Sequence, residues 1–238
     1  MKLERVTITG ADNSTDILEL MQLSYEFPFV EWGILISKSQ QGGPRFPSRS
    51  WIAVFSDMAR SHKLNVATHM CGRWVRDLLI GEVDWDVLPT CIAASQRVQI
   101  NISKDAIVCA GALSKRLLEL KNKRFIFQSD GVNDNLANAM HICDVPVAAL
   151  FDTSGGTGLL PGNWPTLRTQ FPFGFAGGLG PDNVLAQLDQ INLVCSDDFP
   201  TWIDMETRVR VEDNSALDMV KVQSVLQSVK DSGWLRSQ

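Results

Sequence analysis

The chain has 238 residues, 45% of them hydrophobic and 21% charged, an ordinary globular composition long enough to bury roughly 70–75% of its extended-chain surface. A net charge of −5 gives no electrostatic reason to expect nucleic acid or an anionic membrane as partner, and no run reaches the roughly 20 apolar residues of a membrane span. Five scattered cysteines without CxxC spacing argue against a disulfide framework or zinc knuckle, and the N-terminus lacks an apolar leader, so a reducing, cytoplasmic setting is expected.

The first predicted strand is Arg5-Val6-Thr7-Ile8-Thr9-Gly10, followed by a helix from Thr15 to Ser24 with apolar residues at helical spacing. Trp32 to Ile36 is a second strand, with a Gly- and Pro-rich loop over 37–48 and a helix from Ser50 to Ser61. Leu64 to His69 is the third strand, Trp74 to Ile80 a helix, and Arg97 to Asn101 the fourth strand. Ala106 to Lys121 reads as an amphipathic helix, Arg124 to Gln128 as strand five and Asp134 to Cys143 as a helix. Val147 to Phe151 is strand six, Gly174 to Ala176 strand seven, with a helix opening over Pro181 to Leu188. Thr201 to Asp204 is strand eight, and Ser215 to Val229 the closing helix.

Strands alternating with helices imply a parallel sheet, because each strand must return through a crossover. The count of eight, and the lack of a GxGxxG after the first strand, favour a (β/α)8 TIM barrel over an open doubly wound sheet. No linker or low-complexity tract divides the chain, so residues 1–238 are expected to form one domain.

In such a barrel the residues at strand C-termini face the working site. Those positions hold Thr9, Lys38, Arg45, His69, Asn101, Gln128, Asp130, Asp152, Glu206 and Arg208. Two Gly-rich turns add to them: Gly155-Gly156-Thr157-Gly158 after strand six and Gly177-Gly178-Leu179-Gly180 after strand seven. Glycines let backbone N–H groups approach an anion closely, although tight turns alone would also account for them. Three histidines, two of them (His62 and His141) on helices or their ends, offer no metal constellation, and no late-strand lysine suggests a Schiff base.

Several of these segments, in order, resemble phosphoribosylanthranilate isomerase. They are Val6 to Asn13 with Asp16, Gly33 through Lys38 to Arg45-Phe46, Val98 to Asn101, Asp152 with Gly155 to Gly158, Ala176 to Val184, and Asp218 with Lys221. The resemblance implies a barrel that performs an Amadori rearrangement of a phosphoribosyl amine without an organic cofactor or metal. Asp152 would be the general acid that opens the sugar ring. Arg45, Lys38, Asn101, Gln128 and Arg208 would contact substrate, and Gly155, Gly156, Gly177, Gly178 and Thr207 would hold phosphate.

Three positions depart from the family's pattern. The cysteine that serves as base is Thr9 here, and a threonine hydroxyl does not ionise usefully near neutrality. The strand-four histidine is Asn101. The serine pair of the last phosphate loop is Glu206-Thr207, with Arg208 next as the nearest cation to pair that carboxylate. The base is therefore sought elsewhere, in His69 or Asp130.

The leading expectation is an isomerase-like enzyme using acid–base chemistry on a small anionic ligand, a sugar or sugar phosphate other than the usual substrate. A barrel that has lost catalysis and senses a ligand or joins an assembly is the first alternative, and a weak tryptophan-pathway isomerase the second. Seven tryptophans exceed what a barrel core demands and leave a homo-oligomer interface as one use for them.

Overall fold

In the computed structural model, residues 1–83, 90–130, 134–152, 157–166, 170–195 and 199–235 are described. Strands β1 (Leu3–Thr9), β2 (Val30–Ser37), β3 (Val66–Cys71), β4 (Arg97–Ile100), β5 (Arg124–Ser129), β6 (Val147–Phe151), β7 (Phe173–Ala176) and β8 (Thr201–Met205) close into a barrel. Each pairs in parallel with the next, and β8 returns to β1 through pairs such as Val6 with Ile203 and Thr7 with Asp204. That last pairing makes the sheet a closed (β/α)8-type barrel. The strands carry nearly continuous buried runs because helices cover one face while the opposite strands fill the other.

The helices outside the barrel are α1 (Ile17–Glu26), α2 (Arg49–His62), α3 (Arg73–Ile80), α4 (Thr90–Ala94), α5 (Ala110–Glu119), α6 (Asp134–Ile142), α7 (Val184–Val194) and α8 (Met219–Asp231). Capping chemistry sets several boundaries. Asp16 accepts from the Leu18 N–H to start α1, Ser48 accepts from Trp51 N–H to start α2, and Asp218 accepts from Val220 and Lys221 N–H groups. The last of these places the start of α8 four residues later than the apolar pattern suggests. Likewise α7 starts at Val184, not Pro181, because Asn183 ties the preceding turn: it accepts from Gly180 N–H and donates to Gly178 O. The short α4 has no periodic signal in the sequence and was not anticipated.

Among the described residues, no helix lies between β6 and β7. Aromatic side chains cover these strands instead. Trp164 packs edge-on against Phe151 and Phe175, with ring centroids 5.8 and 5.5 Å apart, and its indole N–H donates to Gln187 Oε1 on α7 at 2.9 Å. No helix among the described residues is long and apolar enough to cross a membrane.

The apolar interior has two parts. The larger cluster lies between strands and helices, whereas Ile126, Ala148, Leu150, Ala176 and Trp202 form a separate cluster inside the barrel. The barrel's centre also holds a buried ion pair. Arg97 Nε donates to Glu31 Oε2 at 2.8 Å, Arg97 Nη2 donates to Glu31 Oε1 and Thr7 Oγ1, and its guanidinium lies 4.3 Å from the Trp202 ring centroid. Burial acts to raise the Glu31 pKa, but the charge and hydrogen bonds of Arg97 hold it below the ordinary value.

Gly174 on β7 makes room for that arrangement, since a Cβ there would stand 2.1 Å from the Trp202 ring. Gly174→Ala is expected to destabilise by about 1–3 kcal/mol, because the indole cannot move without displacing Arg97. A urea unfolding midpoint equal to that of the wild type would show that the interior yields more easily than this packing implies.

Candidate active site

At the C-terminal ends of the strands lies a cavity of about 450 Å³, the expected place for a site on this fold. The inward alternation of each strand builds its inner end. Two residues beyond the Arg97, Glu31 and Trp202 layer come Gln99 on β4, Gly33 on β2 and Asp204 on β8, with Thr9 two residues beyond Thr7 on β1. His69 on β3 joins them as the register partner of Gln99. Thr9, His69, Gln99 and Asp204 are all buried and all line the cavity.

Thr9 Oγ1 donates to Asp204 Oδ1 at 2.9 Å, while Asp204 Oδ2 stands 3.8 Å from His69 Nε2, too far for a hydrogen bond. Gly33 keeps this junction open, because a Cβ there would meet Thr9 Oγ1 at 2.1 Å and His69 Nε2 at 3.1 Å. Burial pushes the Asp204 carboxyl well above its ordinary pKa, with the charges of Glu31 and Glu206 adding to the effect against the Thr9 hydrogen bond. Burial also lowers the His69 pKa to about 4, with Arg97 acting the same way and Glu31 opposing. The imidazole is therefore uncharged at neutral pH and a weaker base than an unperturbed histidine.

Asp204 is the titratable group that sequence reading missed. The sequence reading places it only as the last residue of strand eight, without a role at the site, yet it stands in direct contact with Thr9. Its signal was available: an acidic residue at the end of a barrel strand.

A chain of hydrogen bonds fixes the neighbouring amides. Gln99 Nε2 donates to Asn101 Oδ1 at 2.9 Å, Asn101 Nδ2 donates to Cys71 Sγ at 3.1 Å, and the Cys71 thiol donates to His69 O. Burial raises the Cys71 pKa to about 11, so this thiol is a packing partner and not a nucleophile.

Beyond the strand ends, Asp130, Asp152, Glu206, Lys104 and Arg208 also line the cavity. Glu206 pairs with Arg45 at 2.9 Å, so Arg45, and not the adjacent Arg208, answers its charge. Burial and the nearby Asp152 charge raise the Glu206 pKa, while Arg45 and Arg210 oppose that shift. Arg45 is itself fixed, its backbone N–H donating to Asp12 Oδ2 at 2.8 Å. The buried Arg210 donates to Asp12 Oδ2 and to Gly10 O, and Lys221 donates to Arg210 O. These contacts bind the loops after β1, β2 and β8 into one rim.

Gln128, Asn101, Gly177, Gly178 and Thr207 also line the cavity. Gly178 has φ +65°, and a Cβ on it would lie 2.5 Å from Leu160 N, so the crossing of the β6–β7 connection itself requires glycine there. Gly155 and Gly156 lie outside the described residues. Lys38 is not at the cavity: its ammonium pairs with Asp77 on α3 and stands 4.2 Å from the Trp74 ring centroid, clamping the β2 loop to that helix. No group of three or more His, Cys, Asp or Glu side chains among the described residues has the arrangement of a metal site.

No protein-family model and no curated protein sequence matches the chain. Solved structures do. The chain is similar to a truncated 3-deoxy-D-arabino-heptulosonate 7-phosphate synthase from Thermotoga maritima, with TM-score 0.60 and 12% identity, over 100% of this chain and 90% of that one. It is also similar to N-(5′-phosphoribosyl)anthranilate isomerase from Pyrococcus furiosus, with TM-score 0.54 and 14% identity, over 95% of this chain and 98% of that one. Human mitochondrial enolase superfamily member 1 gives TM-score 0.53 and 10% identity, over 91% of this chain and 50% of that one. Likeness at these identities establishes a TIM-barrel fold of the kind that carries diverse enzymes, and no narrower family.

Proposed function

We propose that the protein is an isomerase-like enzyme that moves protons on a small sugar or sugar phosphate. The observation that carries the reading is the Thr9–Asp204 pair at the inner end of a cavity that Asp152 also lines. Acid–base isomerisation needs two titratable groups, one to give a proton and one to take one. Asp152 is assigned the acid role implied by the isomerase resemblance. Asp204 takes the base role, its raised pKa bringing it toward the range useful near neutrality. Thr9 positions it by donating a hydrogen bond to its Oδ1.

Arg45 and Asp130 are assigned to substrate placement, with Asn101 and Gln128 as neutral contacts. The Gly177–Gly178 turn, Thr207 and Arg208 would receive an anionic group. No organic cofactor is required, because ring opening and proton transfer use only acid–base groups.

The test is isotope exchange. Incubation with a panel of aldose phosphates in D2O is expected to remove the C2 proton signal of at least one, and Asp152→Asn should suppress that loss. Growth of an isomerase-deficient tryptophan auxotroph would narrow the substrate to the phosphoribosyl amine. A folded protein that exchanges no member of the panel would sink the enzymatic reading. Binding without exchange would favour the alternative of a ligand sensor, which the threonine in place of the base cysteine at position 9 supports.

A further inference from the structure

Two polar atoms at the inner end of the cavity, Gln99 Oε1 and His69 Nε2, are buried without a hydrogen-bond partner. Buried polar groups left this way are costly, and inside a cavity they mark where a ligand's polar groups belong. Both residues are more than nine-tenths buried, with 5% and 3% of their surfaces exposed. The Gln99 amide is oriented by its neighbours, its Nε2 donating to Asn101, whose own amide donates to Cys71. Its carbonyl oxygen therefore accepts and does not donate.

We infer that Gln99, His69 and Asp204 form a subsite for two neighbouring hydroxyls of an uncharged sugar end, so that the ligand enters with any phosphate pointing outward. This rests on the sugar-directed reading above and adds the ligand's orientation to it. His69 and Gln99 are register partners on adjacent strands, which run about 4.8 Å apart, a spacing that adjacent hydroxyls can bridge. One hydroxyl donates to Gln99 Oε1. The other bridges His69 Nε2 and Asp204 Oδ2 from the cavity side, the two atoms being 3.8 Å apart with no direct hydrogen bond between them.

The chemistry of the gap suits a hydroxyl. Histidine is uncharged there, and burial disfavours the ionised form of the carboxyl. A hydroxyl both donates and accepts, so it can hydrogen-bond to the imidazole and to the carboxyl at once. A phosphate oxygen cannot donate in this way when fully ionised, and it would face Asp204 and Glu206. Among the described residues, the cations lining the cavity, Lys104 and Arg208, belong to segments beyond the strand ends.

The experiment compares calorimetric titrations of inorganic phosphate, D-ribose 5-phosphate and D-glucose 6-phosphate into the full chain and into Gln99→Met, which keeps the volume and removes the acceptor. At least one sugar phosphate is expected to bind about tenfold more tightly than inorganic phosphate, and Gln99→Met should erase that margin while leaving inorganic phosphate unchanged. In the wild-type protein the His69 Nε2 nitrogen resonance should move on sugar phosphate addition, while those of His62 and His141 stay in place. This second readout needs no variant to fold. Equal affinity for phosphate and every sugar phosphate, or a His69 signal that never moves, overturns the subsite. If the hydroxyl dependence holds without isotope exchange, the catalytic reading falls and the subsite stands. If exchange occurs with Gln99→Met binding like the wild type, the subsite alone falls.

Discussion

Arg97→Met is expected to destabilise the protein by about 3–5 kcal/mol, the cost of leaving one half of a buried ion pair uncompensated. Glu31 is fully enclosed between β1, β2 and β4, and Arg97 supplies most of the attraction that keeps it ionised. Thr7 contributes one hydrogen bond to the same carboxylate at 2.9 Å, too little to replace a guanidinium. The double variant Arg97→Met/Glu31→Leu should recover most of the loss, because removing both charges removes the desolvation problem along with the attraction. Urea unfolding followed by fluorescence and circular dichroism measures both. A single-variant loss below about 1 kcal/mol, the range of exposed pairs, would mean that water reaches Glu31. The pH dependence has a definite sign. Because the folded Glu31 pKa is depressed below 4.5, its contribution is present above that value and lost as pH falls through the depressed folded value.

Asp204→Asn is expected to cut the exchange rate about 10²–10⁴-fold, the usual contribution of a positioned base, and to raise the melting temperature at neutral pH. The two effects have one cause. Burial raises the carboxyl's folded pKa, so its favourable contribution is present below about 3.8 and declines as pH rises toward the folded value. Asparagine still accepts the Thr9 hydrogen bond and carries no proton to lose. The stability gap between variant and wild type should therefore open as pH rises above 3.8 and then level off. In the wild type, kcat/KM should rise with pH through the raised Asp204 pKa, and the variant should lack that limb. An active variant would remove Asp204 from the mechanism. A variant less stable at every pH would show that the carboxyl, and not merely its shape, supports the fold. Loss of activity with increased stability would be the usual trade between a strained site and a stable core.

The alternation of apolar strand runs with amphipathic stretches was sufficient to read eight strands and the barrel, because strand burial and helical spacing are local properties of the chain. The ends of elements were less legible. The shift of α7 to Val184 comes from Asn183 bonding around its own turn, and α8 begins at Met219 because Asp218 caps it. Both are side-chain effects that the apolar pattern does not register. Eight of the strand-end residues expected at the site, Thr9, His69, Asn101, Gln128, Asp130, Asp152, Glu206 and Arg208, line the cavity because strand direction alone places them at that mouth. Which of them can carry a charge was decided elsewhere.

The protonation state of His69 depends on burial among Arg97, Gly33 and Asp204, residues from three other strands. Lys38 was equally plausible as a ligand contact until α3 brought Asp77 and Trp74 beneath it. Glu206 found its cation across the mouth, in Arg45, and not beside it in sequence. The sequence by itself determined the architecture and the circle of residues around the mouth, since hydrophobic periodicity and strand direction are written along the chain. Only the tertiary structure decided the interior ion pair, the Thr9–Asp204 contact and the unpartnered atoms of His69 and Gln99. Desolvation and pairing depend on which strands meet across a closed barrel, and those strands are far apart in the chain.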